Sequence, residues 1–129
     1  MIEYTVKLNS TQLNETLKAV ELLMRLKINQ PEEICRDVLD GLYEQIGCDE
    51  YCKRMNEANE LLRAAFDKIF PRWEDVKKDK EWHTLYNIFQ ALRYQRHLAE
   101  YPNSIGVDSY PPRCFGGEPV PECSWEEVK

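Results

Sequence analysis

The sequence has no apolar run approaching the ~20 residues that a membrane-spanning helix requires. Its amino-terminal stretch, MIEYTVKLNS, carries an acid at Glu3 and no apolar signal core, so export is not expected and the setting reads as cytosolic. A basic excess is missing too: 17 Lys and Arg face 23 Asp and Glu, a net charge of −6. That balance argues against direct binding to a nucleic-acid backbone and leaves an acidic surface for a basic protein partner. Only two histidines are present, His83 and His97, and there is no Gly-x-Ser-x-Gly elbow, so nucleophilic catalysis has few parts to work with. FGGEP (residues 115–119) has two glycines but no following Lys-Ser/Thr and no helix start. It reads as a turn, not a phosphate cradle. Internal repeats and low-complexity runs are absent.

What is there describes a globular protein. At 129 residues, with 43% hydrophobic and 31% charged residues, the chain is long enough for one domain with a sizeable core. The expected layout is a strand plus helical core over residues 1–100 and an ordered Pro/Gly-rich tail over 101–129. The five cysteines (Cys35, Cys48, Cys52, Cys114, Cys123) are expected to be reduced thiols in the cytosol. Cys48 and Cys52 would share a helix face and, with Cys114, Cys123 or a histidine, have the donor types of a zinc site. The nine positions between Cys114 and Cys123 do not resemble a zinc knuckle, so no metal or cofactor is expected.

Ile2, Tyr4, Val6 and Leu8 alternate with polar residues, which predicts a half-buried amino-terminal β-strand. Asn9 with Gln12 has capping-box spacing, with Ser10 a competing N-cap one position later, and Leu13, Leu17, Val20 and Met24 then form the stripe of a first helix ending near Ile28. Pro31 breaks it and starts a second, with Glu32 and Glu33 at its positive end. Ile34, Val38, Leu42 and Ile46 continue that helix to Gly47. Tyr51, Met55, Ala58, Leu62, Ala65 and Ile69 predict a third, widened by Phe66 and Phe70 and closed by Pro71. Residues 73–80 read as a charged connector. Trp82, Leu85, Phe89 and Leu92 define a fourth. Beyond Glu100 lie five of the seven prolines and three of the five glycines, with Ile105, Tyr110, Phe115 and Trp125 among them. The predicted class is α+β and mainly α: four helices, the amino-terminal strand, and an irregular tail with short strands that pair with it.

Two polar groupings stand out. One is the junction RLKINQPEEI (residues 25–34), with Arg25 and Gln30. The other is RYQRH (residues 93–97), a small cationic patch of Arg93, Arg96 and His97. Arg113 and Phe115 add a guanidinium and an aromatic ring in the tail. Guanidinium groups fork onto phosphates and aromatic faces stack on nucleobases. If the tail folds back over the fourth helix, Arg25, Gln30, Arg93, His97, Arg113 and Phe115 are the candidate ligand-binding residues; no catalytic residue is assigned. Plain helix punctuation and solvated helix ends remain the simpler reading of both groupings.

This order resembles that of small accessory proteins encoded by bacteriophages and prophages. The likeness lies in the strand and first helix leading into RLKINQPEEI, the helix LYNIFQALRYQRHLA (residues 85–99), and an ending like GVDSYPP…GGEPVPE, with Gly106, Val107, Asp108, Glu118 and Pro119. It covers both ends and does not extend over residues 36–80. The resemblance implies a non-enzymatic binding protein in the host bacterial cytoplasm. Such a protein would antagonise a defence system by binding an effector protein or sequestering a nucleotide signal. The alternative is a phage structural or assembly protein acting through helical oligomerisation. A homo-oligomer is expected, because Tyr101, Tyr110, Phe115 and Trp125 exceed what a short chain readily buries.

Overall fold

The computed structural model describes residues 2–39, 41, 43–69, 78–114, 116, 117 and 119–128, and the side chains of these except 37–39. The expectations for Val38 as a buried side chain, and for Leu42, Phe70, Pro71, Trp73, Phe115 and Glu118, fall outside this set. Among the described residues no helix is long and apolar enough to cross a membrane.

Helix α1, Ser10–Lys27, begins where local chemistry dictates. The Asn9 side chain accepts the Gln12 amide at 2.9 Å, and the Gln12 side chain accepts the Asn9 amide at 3.0 Å, so two otherwise orphaned donors are satisfied reciprocally. Its end is equally specific. Asn29 takes a left-handed backbone, φ 60°, which its short polar side chain tolerates. Its amide reaches the Leu26 carbonyl at 3.2 Å and the Gln30 amide reaches Arg25 at 2.9 Å, the double closure of a Schellman motif. Pro31, which has no amide hydrogen, follows as the turn into α2, Glu32–Leu39. The predicted second helix does not run on to Ile46. Its described stretch is Glu32–Leu39, Gly41 is not α-helical, and a separate four-residue turn of helix, α3 (Tyr43–Ile46), lies beyond Gly41. Gly47, at φ 79°, separates α3 from the long α4, Cys48–Ile69.

Helix α5, Lys80–Glu100, packs along α1. Met24 and Trp82 are the buried centre, with Val20, Ile28, Leu85, Tyr86 and Phe89 packed around them; the Trp82 and Tyr86 rings stack with centroids 5.2 Å apart. Helix α4 packs on α2 and has no buried residue, leaving Leu61 and Ile69 exposed.

Asp79 joins the two main helices. Its Oδ1 caps α5 by accepting the Glu81 and Trp82 amides at 2.9 and 3.2 Å, while Lys27 of α1 reaches its Oδ2 and Glu81 Oε2, both at 3.1 Å. Burial works to raise the Asp79 pKa, but the Lys27 bond and the two amides outweigh it and hold the carboxyl below its ordinary 3.8. A depressed carboxylate contributes stability that is complete above its unfolded pKa and lost as pH falls through the folded one. Asp79→Ala is therefore expected to cost about 1 kcal/mol at neutral pH. The gap from the parent protein should narrow below about pH 4, as followed by urea denaturation across pH. A pH-independent gap would contradict the charged role.

The α+β class is not observed: the described residues are helical and contain no β-strand. Residues 2–8 alternate as expected, yet Ile2, Tyr4 and Val6 are 78%, 85% and 73% exposed. Alternation supplies a face, but a strand also needs a partner's amides and carbonyls, and the tail does not offer them. Prolines 102, 111, 112, 119 and 121 remove donors there, and one 3-10 turn, Val107–Ser109, is its regular element. Between the two segments runs an exposed ion pair, Lys7 to Glu126 at 3.0 Å. The tail instead lies on α5, whose covered face is polar: His83, Asn87, Gln90 and His97 are all buried. The Gln90 amide donates to the Arg113 carbonyl at 3.0 Å and accepts the Arg113 amide at 3.1 Å. Further along, the Gly116 backbone lies directly against the His83 ring.

Candidate functional site

Two grooves flank α5 where helix and tail meet. The first, about 590 Å³, lies between α1 and α5 over buried Leu17. Its walls carry Lys18 and Arg25 from α1 and Arg93 and Arg96 from α5, and Asp108 from the 3-10 turn closes one end. The second, about 540 Å³, lies between α5 and the tail, with Tyr86, Gln90, Arg93, Tyr110, Pro112 and Arg113 among its lining. Arg93 belongs to both.

Each guanidinium in the first groove is held in place. Arg25 donates to Gln30 Oε1 at 2.8 Å and reaches Glu21, one helical turn back, at 3.3 Å. Arg93 Nε meets Asp108 Oδ1 at 3.2 Å, and its guanidinium carbon stands 5.0 Å from the centre of the Phe89 ring. Arg96 donates to the Tyr101 hydroxyl at 2.6 Å and to Asn14 Oδ1 at 3.0 Å, and lies 3.6 Å from Asp108 Oδ2. The four cations Lys18, Arg25, Arg93 and Arg96 face three carboxylates, Glu15, Glu21 and Asp108, so the groove is a locally cationic spot on an acidic protein. Preset guanidinium forks beside an aromatic ring suit an anion with a flat group attached.

The sequence-selected residues divide accordingly. Arg25, Gln30 and Arg93 come together at the first groove, Gln30 through its bond to Arg25, and Arg113 joins Arg93 at the second. His97 stays apart from both. It is buried between Tyr94 and Tyr101, at ring distances of 6.4 and 5.6 Å, with no hydrogen bond at Nδ1 among the described residues. Phe115 lies outside the described residues. The rest of the junction is used for packing: Arg63 of α4 bonds Glu32 and donates to the Asn29 carbonyl at 2.7 Å, and Asn29 donates to Asp67 at 3.0 Å. The hydrogen bond to Glu32 holds the Arg63 pKa above its ordinary value.

Asp108, Asn14 and Tyr101 escaped the sequence reading as site residues. Asp108 had one signal available, as the single acid between Glu100 and Glu118, downstream of a pair of arginines. Cysteine chemistry contributes little here: Cys35 is buried, and burial, followed by the charge of Glu32, pushes its thiol pKa up. Cys48, Cys52 and Cys114 are exposed, and no group of three or more His, Cys, Asp or Glu among the described residues is placed to hold a metal ion. No protein-family model, no curated protein and no solved structure matches this chain.

Proposed function

We propose that this protein is a non-enzymatic binding protein that holds a phosphate-bearing nucleotide in the groove between α1 and α5. The observation that carries the reading is the set of Arg25, Arg93 and Arg96 on the walls of one groove beside Phe89. Its volume of about 590 Å³ lies within the range of small-molecule sites. The likeness to phage accessory proteins supplies the setting: sequestration of a nucleotide signal of a bacterial defence system, in the host cytoplasm. A second reading, in which the target is an effector protein or a phage assembly partner, is favoured by one observation: α4 buries none of its residues and exposes Leu61 and Ile69.

Calorimetric titration of the full chain with linear nucleotides and cyclic mono- and dinucleotides tests the first reading. Binding is expected for at least one of them. Arg93→Ala should weaken it roughly tenfold to a hundredfold, the worth of hydrogen bonds to a charged group. Asp108→Asn frees two guanidinium groups without removing them, so it should preserve or tighten binding. Absence of heat with every nucleotide would transfer the function to the α4 surface.

A further inference from the structure

We infer that residues 2–8 form an antiparallel two-stranded ribbon with the same segment of a second copy of this chain, in the register that sets Thr5 opposite Thr5. The inference is independent of the nucleotide reading. The segment is exposed and its residue types alternate, so that in an extended conformation Ile2, Tyr4, Val6 and Leu8 would share one face and Glu3, Thr5 and Lys7 the other. Once extended, it would offer unpaired amides and carbonyls to another chain as a sheet edge does, and its own charges select the partner.

In the Thr5–Thr5 register Glu3 of each strand stands opposite Lys7 of the other, so two opposite-charge pairs form across a two-fold axis. Tyr4 then meets Val6 and Ile2 meets Leu8, aromatic against β-branched and aliphatic against aliphatic. Alternative arrangements lose this. Slipping by two residues places Glu3 opposite Thr5 or Asn9 and dissolves both charge pairs. Slipping by one sets apolar side chains against polar ones. A parallel in-register ribbon aligns Glu3 with Glu3 and Lys7 with Lys7. The boundary is defined as well, since Asn9 is already committed to capping α1. Within one copy Lys7 holds Glu126, but the two side chains are 86% and 70% exposed, and a pair so screened contributes little against exchange. A two-stranded ribbon is marginal by itself, so the dimer should dissociate on dilution.

Sedimentation of the full chain over a concentration series tests this, with circular dichroism verifying unchanged helix content. The parent protein should show a monomer–dimer equilibrium. Glu3→Lys and Lys7→Glu should each weaken the dimer roughly tenfold or more, because both cross-strand pairs become like-charged. The two single variants mixed in equal amounts should dimerise again, since one then offers only cations and the other only acids. The double variant, Glu3→Lys with Lys7→Glu, should dimerise by itself. A parent protein monomeric throughout, a dimer indifferent to both reversals, or a mixture that stays monomeric would overturn the inference; the second result would locate the contact elsewhere.

Discussion

Replacing Trp82 by alanine is expected to remove about 3–5 kcal/mol of folding stability. Trp82 lies in the first turn of α5, its amide fixed by Asp79, and its ring is buried against Met24 and stacked on Tyr86. Few large apolar side chains are buried with it: Leu17, Met24, Cys35, Trp82 and Ala91 are the buried hydrophobic residues among those described. With so small a centre, the neighbours of Trp82 have few other buried apolar groups to pack on. Domains of ordinary size are stable by about 5–15 kcal/mol, so the loss is a large fraction of the whole. Urea denaturation of Trp82→Ala beside Trp82→Phe gives the measurement, with the phenylalanine variant losing markedly less. A loss below about 1 kcal/mol, the scale of a surface change, would show that the α1–α5 contact is not the seat of stability.

The second large effect is expected at Gly116. A methyl group there would stand 1.9 Å from His83 Nδ1, deep inside van der Waals contact, and the backbone at φ 70° disfavours any side chain. His83 is buried in the first turns of α5, at 6% exposure. Gly116→Ala should therefore lift this part of the tail from α5, at about 1–3 kcal/mol for the overlap and about 1–2 kcal/mol for the left-handed backbone. Gly117→Ala isolates the second contribution, because Gly117 has φ 82° but nothing within 4 Å of its would-be Cβ. Limited trypsin digestion reads the difference: cleavage after Arg113 should accelerate in Gly116→Ala far more than in Gly117→Ala. Equal rates would mean that the contact with His83 does not hold the tail down.

Local rules made much of the helical framework legible. The Asn9 and Gln12 pair, the Leu13 to Met24 stripe, the break at Pro31 and the position of Trp82 on a later helix all depend on residues within a few positions of one another, and the helices appear where those signals lie. Features that needed a distant partner were not legible. The alternation of residues 2–8 says which side chains share a face but not whether a ladder exists to receive them. Ile46 keeps the stripe of the second helix and so predicts one continuous helix, whereas a separate helical turn, α3, lies past Gly41. Residue type picks out Arg25, Gln30 and Arg93 at the first groove and Arg113 at the second. Asp108, the carboxylate partner of Arg93 and Arg96, is not legible in this way, because it lies 15 and 12 residues beyond them. Arg63 arrives at the junction from another helix altogether. The sequence presents His97 as a cation at a helix end; its burial between Tyr94 and Tyr101 depends on where the start of the tail lies, which no helical period records.

The Gln90 clamp has a consequence for how this protein can change over generations. Both of its bonds go to the main chain of residue 113 and none to the arginine side chain, which is exposed at the rim of the second groove. Any residue other than proline offers the same amide and carbonyl. The anchor is therefore indifferent to what position 113 displays, and the chemistry at that rim is free to drift while the tail keeps its seat.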